Sequence, residues 1–333
     1  MQKIINDPNA FVDETLEGIL AAHGDRLRAA PDDPRALVRA DAPVAGKVAI
    51  VTGGGSGHLP LFLGYVGEGL ADAVAVGNVF ASPSADQMMA ATRAAHAGAG
   101  VLYLFGNYGG DVMNFSLAAE LMAAEGIRVE TVLGDDDVAS APKGEEQRRR
   151  GIAGIFFLYK IAGARAAEGA SLDEVVETTR RAAASVRSMG VALAPCIVPA
   201  AGRPTFDVPE GEMEIGMGIH GEPGVRRGRL EPADEIADDL VSTILHDLPH
   251  ERGDQVDVLV NGLGATPVEE LYILFRRVSM RVAEAGLEVR RAWVGEYATS
   301  LEMAGASVSL LRSDAELARL MDAPARSPLV GRF

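Results

Sequence analysis

Short apolar runs alternate with segments of helical periodicity through the first half of the chain, and this alternation constrains the fold more than any other feature. Val48–Val51, Ala73–Val76 and Val101–Phe105 carry no charge and are rich in strand-forming residues; Val129–Leu133 is a fourth run of strand type. Phe11–His23 places Val12, Leu16, Ile19 and Leu20 on one helical face. Ser82–Ala97 opens with Ser84 as a cap, Asp111 is placed to cap Val112–Glu125, and Ile152–Glu168 is apolar almost all round. Ser171 and Glu174 have capping-box spacing for a helix to about Ser188, and Pro31–Pro34 reads as a turn. The fold class predicted is α/β, with a largely parallel or mixed first sheet flanked by helices. Ligands of such sheets gather at the carboxyl ends of the strands.

A chain of 333 residues is long for one core, so two α/β domains are expected, divided near Met189–Gly190 into 1–189 and 190–333. In the second, Val191–Cys196, Met213–His220, Val256–Val260, Val289–Val294 and Val308–Leu311 read as strands. Asp234–His246, Pro267–Ala285 and Asp314–Met321 read as helices. The net charge of −16 argues against nucleic acid and anionic membranes as partners. The single cysteine, Cys196, excludes an internal disulfide framework and a cysteine zinc cluster, and no His/Asp/Glu group has metal-ligand spacing. Neither a signal-peptide core nor a membrane-spanning stretch is present, so the expected setting is cytoplasmic.

The first strand runs into Gly53-Gly54-Gly55-Ser56-Gly57-His58. A phosphate loop needs a Lys-Ser or Lys-Thr pair that is absent, and His58 breaks both the dinucleotide fingerprint and the nucleophile elbow. What remains is either a tight turn with a surface histidine or a ligand site whose glycines bring backbone amides close to the ligand. Asp111 suits a helix cap and equally a general base. His220, before Gly221-Glu222-Pro223-Gly224, suits a turn and equally a neutral imidazole acting as base or nucleophile. Arg148–Arg150 beside Glu145–Glu146 reads as a solvated face or a partner contact.

Together these motifs are more specific than any one alone. Gly53–His58, Gly77–Pro83, Asn107–Phe115, Asp135–Val138, Arg149–Gly154, Gly218–Gly224 and Thr299–Gly305 resemble, in order, the substrate-binding domain of the dihydroxyacetone kinases. The resemblance implies a homodimeric two-domain subunit that binds a short-chain ketose. It implies that His220 adds to the ketone to form a hemiaminal, that Asp111 takes the hydroxyl proton, and that His58 holds and polarises the substrate. Gly55, Ser56, Gly57, Ser82 and Gly106 are implied to line the substrate site. No cofactor is implied on this chain; Mg-ATP or Mg-ADP would sit on a helical nucleotide-binding partner subunit, with a phosphotransferase-system protein as a further phosphoryl source.

Gly106 stands where the family usually has lysine, Gly109 where it has threonine, and Leu59 where it has glutamate. The loss of a cationic donor and the extra room extend the expected substrates from dihydroxyacetone to longer ketoses such as erythrulose. Two other readings remain: a non-enzymatic ketose-sensing coactivator, and an unrelated enzyme binding nucleotide on the Gly53 loop.

Overall fold

The four runs form the parallel part of a six-stranded sheet in the computed structural model, which describes residues 2–332. The chain begins with α1 (Phe11–His23), β1 (Leu27–Ala30), β2 (Asp33–Arg39), β3 (Ala49–Ser56) and β4 (Ala73–Val79). It continues with α2 (Ala85–Ala95), β5 (Val101–Gly106), α3 (Gly109–Ala124) and β6 (Val129–Gly134). The order is β1-β2-β4-β3-β5-β6; β4, β3, β5 and β6 are parallel, and β2 is antiparallel to both neighbours. The expected turn at Pro31–Pro34 is the tip of the β1–β2 hairpin. Its strands were hidden in the sequence by the charged residues Arg28, Asp33, Arg35 and Arg39, the last of which is buried against Asp72.

Strand alternation divides the sheet between two cores. Val48, Ile50, Val74, Leu102 and Leu104 face α4 (Ile155–Ala167), whereas Ala49, Val51, Ala73, Ala75, Tyr103 and Phe105 face α2 and α3. Ser84 and Ser171 both form capping boxes, with Gln87 and with Glu174, the latter opening α5 (Leu172–Ala184). α3 departs from expectation. It starts at Gly109 with Tyr108 as N-cap, so Asp111 lies in the first turn and makes no cap. Gly109 and Gly110 extend the helix backwards and leave the Asp111 carboxylate free for other contacts.

The second sheet comprises β7 (Val186–Ala194), β8 (Glu212–Ile215), β9 (Arg226–Arg229), β10 (Gln255–Gly262), β11 (Glu288–Gly295) and β12 (Ala304–Ser313). Its order is β11-β10-β12-β7-β8-β9, and only the β10–β11 pair is parallel. α6 (Ala233–Asp247) and α7 (Val268–Glu284) pack on one face. Against the other lie α4 and α8 (Ala315–Asp322), so α4 is buried all round because it serves both sheets. Phe156, for example, meets Trp293 and Tyr297 at ring separations of 5.3 and 5.1 Å. Met189–Gly190 lies inside β7, and the chain returns after α8 to the first unit, where Arg326 bridges to Glu68.

Two further expectations are corrected. The strand expected over Met213–His220 stops at Ile215, because Gly216 turns with φ +81°, and His220 is therefore on a loop. The arginine run is not a solvated face. Arg149 is buried in a bidentate pair with Asp247 on α6 (2.8 and 2.7 Å), and Arg150 pairs with Asp137 at 2.8 Å; only Arg148 is well exposed. A buried pair of this kind ties the segment after β6 to the second unit.

The glycines of β3 exist for close packing more than for turning. A Cβ on Gly53 would stand 2.9 Å from the Phe115 ring, and one on Gly54 2.2 Å from Phe62. Phe62 is itself fixed at φ 65°. Gly54→Ala is expected to destabilise the fold by about 1–3 kcal/mol through overpacking, read as a lowered thermal midpoint.

Candidate active site

Three loops leave the carboxyl ends of β3, β4 and β5, and the loop after β8 meets them from the second unit. The first carries His58. Gly57 (φ +100°) makes the turn, and its carbonyl accepts from Leu301 N–H at 2.7 Å. A Cβ on Gly57 would come 2.8 Å from the Phe80 ring. The His58 ring is 1% exposed and stacks on Phe80 at 4.9 Å. Its Nδ1 lies 2.8 Å from the Thr299 carbonyl; a carbonyl only accepts, so Nδ1 carries the proton and Nε2 the lone pair. Burial, reinforced by His220, pushes the His58 pKa down to about 3, which keeps the ring neutral. Nε2 is buried without a partner.

His220 is held by its own loop. Glu222 accepts from the His220 backbone N–H and from Nδ1, the latter at 2.9 Å. Gly218 makes this possible, since a Cβ there would stand 2.1 Å from Glu222 Oε2. Burial raises the Glu222 pKa, but the hydrogen bonds from His220 override it and hold the carboxyl at about 2. An ionised Glu222 fixes the tautomer: Nδ1 donates, and Nε2 keeps a lone pair. The His220 ring lies edge-on to His58, Tyr108 and Phe80, with ring separations of 4.7, 4.8 and 5.3 Å. Arg150 Nη1, 3.7 Å from Glu222, joins this cluster to Asp137.

Asp111 is 6% exposed, and its Oδ1 has no partner. Burial pushes its pKa up to about 6 against the opposing effects of the Ser82 hydroxyl and His220. Ser82 itself accepts from Asn114 Nδ2 at 3.3 Å, which links the β4 loop to α3. Among the described residues, five buried side-chain polar atoms lack a partner, and three of them surround His220: His58 Nε2, Asp111 Oδ1 and Tyr108 Oη. Two are acceptors and one is a donor. Their natural ligand is a small molecule carrying both hydroxyl protons and oxygen lone pairs.

Of the residues singled out from the sequence, His58, Ser82, Asp111 and His220 converge here. Gly55 and Ser56 are still paired strand, opposite Gly77 and Val79, and not a free cradle for phosphate. A Cβ on Gly55 would meet Ala81 N at 2.7 Å. Gly106 does not open the site: its Cβ position faces the Tyr108 ring at 3.2 Å and Ile155 at 3.3 Å, whereas that of Gly109 is open. Sequence reasoning missed Glu222, Tyr108, Phe80 and Thr299 as parts of the site. An acid two residues beyond a candidate nucleophilic histidine was a legible signal for Glu222. Thr299 lies on the loop between β11 and β12, inside a motif that carried the resemblance, and its contact with the His58 ring is non-local. Among the described residues no group of His, Cys, Asp and Glu could hold a metal ion, and no helix is long and apolar enough to cross a membrane.

Residues 17–329 match the family described as the Dak1 domain. The chain is 45% identical to a PTS-dependent dihydroxyacetone kinase 2, dihydroxyacetone-binding subunit DhaK, of Listeria innocua, over 98% of both chains. It is 47% identical to an L-erythrulose kinase of Pectobacterium atrosepticum, covering 98% of this chain and 56% of that protein. The structure is similar to the crystal structure of the dihydroxyacetone kinase of C. freundii (TM-score 0.89, 31% identity), covering all of this chain and 61% of that one. The chain therefore spans nearly the whole of one relative and little more than half of the other two.

Proposed function

The chain belongs to the Dak1 domain family, and on that premise we propose that it is the ketose-binding component of a dihydroxyacetone-type kinase. It captures a short-chain ketose covalently on His220, and a partner subunit phosphorylates the terminal hydroxyl. The observation that carries this reading is the set of three unpartnered buried atoms around a histidine whose tautomer is fixed for nucleophilic attack.

The Nε2 lone pair of His220 forms a bond to the ketone carbon, and the carbonyl π pair moves onto its oxygen. Nδ1 releases its proton through Glu222 to solvent and the alkoxide oxygen takes one from solvent, so the sum is migration of one proton from nitrogen to oxygen, with no leaving group and Glu222 ionised as before. A polyol such as glycerol offers no electrophilic carbon, so covalent capture selects ketone over alcohol. His58, whose only N–H is committed to Thr299, accepts a hydrogen bond from a substrate hydroxyl; this narrows its role from polarising the carbonyl to orienting the ligand. Asp111 accepts the proton of the hydroxyl that attacks phosphorus. Capture holds that hydroxyl in place and replaces a bimolecular encounter with a positioned one.

The phosphoryl group comes from outside this chain. The proposed source is a helical partner subunit carrying Mg-ATP, or Mg-ADP that a phosphotransferase-system protein rephosphorylates; the similarity to the Listeria dihydroxyacetone-binding subunit and to the erythrulose kinase supports a kinase assembly and either ketose. Homodimerisation and a cytoplasmic setting complete the proposal. Intact-mass measurement tests it directly. Incubation with dihydroxyacetone or erythrulose is expected to add the full mass of the ketose, without loss of water, and glycerol is expected to add nothing. An unchanged mass with both ketoses would overturn the reading.

A further inference from the structure

We propose that Tyr108 positions the second arm of the captured ketose and sets selectivity for its length. This rests on capture by His220 as proposed above. A ketose bound through its carbonyl carbon has two arms. One presents the hydroxyl that Asp111 deprotonates. The other carries one hydroxylated carbon in a three-carbon ketose and two in a four-carbon one.

Of the three unpartnered atoms around His220, His58 Nε2 and Asp111 Oδ1 are acceptors, and Tyr108 Oη is the donor. Burial raises the Tyr108 pKa well above its usual value, so the hydroxyl keeps its proton. The side chain is also fixed in place. Tyr108 is the N-cap of α3, its N–H donates to the Gly106 carbonyl at 2.9 Å, and its ring lies edge-on to His220 at 4.8 Å. Gly106 allows this placement, because a side chain there would begin 3.2 Å from the ring. The hydroxyl is thereby held buried, on a ring fixed beside the capturing histidine. A buried donor with no protein acceptor is satisfied by a ligand oxygen. The longer arm carries one more hydroxyl oxygen than the shorter, and that oxygen is the one this hydroxyl takes.

The test measures dissociation constants of the full chain for dihydroxyacetone and erythrulose by calorimetry, with intact mass reporting the adduct. Tyr108→Phe removes only the hydroxyl and is expected to shift the ratio of the two constants about tenfold toward dihydroxyacetone. Gly106→Ala, which pushes the ring, is expected to shift the ratio in the same direction. An unchanged ratio in both variants, with adducts still forming, overturns the role of Tyr108 and leaves capture intact. Equal loss for both ketoses also overturns it, because the side chain would then merely support the His220 ring. Absence of any adduct in the unmodified chain removes the function reading itself, and the two failures are thereby distinguishable.

Discussion

His220→Ala is expected to abolish the ketose adduct and to lower turnover, assayed with the nucleotide-binding partner, by about 10³-fold or more. The size follows from what the side chain does. In the proposed capture it supplies the one covalent bond to the ketose, and the groups left behind, His58 and Asp111, offer only acceptors for hydroxyls, which do not distinguish ketone from alcohol. Residual phosphorylation in the variant should therefore lose its preference for ketose over glycerol. Glu222 provides an internal check, because its carboxyl is held at about 2 largely by His220 and returns toward its ordinary range when that partner is removed. Survival of the adduct in His220→Ala would assign capture to another residue. His220→Gln keeps a polar side chain beside Glu222 and separates loss of the nucleophile from local collapse.

How much of this was legible beforehand depended on how local the signal was. Ile50 and Val51 announce a strand with two buried faces, and the structure gives each face its own layer of helices. The Ser84 and Ser171 caps were equally legible, because donor and acceptor lie within one turn. Non-local features were not. Nothing in Val186–Ala194 or Ala304–Ser313 says that these strands pair antiparallel with each other, so the second sheet's topology was invisible. Arg149 looked like one charge in a run because its partner, Asp247, belongs to another helix. Asp111 shows the same limit at short range. The sequence allowed it to cap α3, and two glycines let the helix begin earlier, which turned a cap into an unpartnered carboxylate. The roles of Gly53 and Gly54 were misjudged because the rings of Phe115 and Phe62, which fill their Cβ positions, come from elsewhere in the fold.

Asp111→Asn is expected to separate capture from transfer: the adduct forms with normal mass, and turnover falls by about 10²–10⁴-fold. The pH dependence follows from the environment of the carboxylate. Burial raises its pKa to about 6, and only the ionised form accepts a proton, so turnover from ketose-loaded chain should rise as pH increases through about 6 and level off above it. His58, held near 3, stays neutral across that range and adds no second limb. Stability should move the opposite way. Between about 4 and 6 the folded chain retains the Asp111 proton that the unfolded chain has released, so this group's contribution to stability falls as pH rises through that window. At pH 8 the folded state therefore holds a buried charge that Asn lacks, and Asp111→Asn should be more stable than the unmodified chain by on the order of 2 kcal/mol; the gain should vanish near pH 4. Denaturant midpoints at the two pH values measure the difference, and comparison with the unmodified chain cancels the other raised carboxyls, Asp135, Asp136, Asp137, Asp257 and Glu296. A variant that loses both turnover and stability at pH 8 would make Asp111 a structural residue. Lost turnover with gained stability is the signature of a carboxylate buried at a thermodynamic cost for proton transfer.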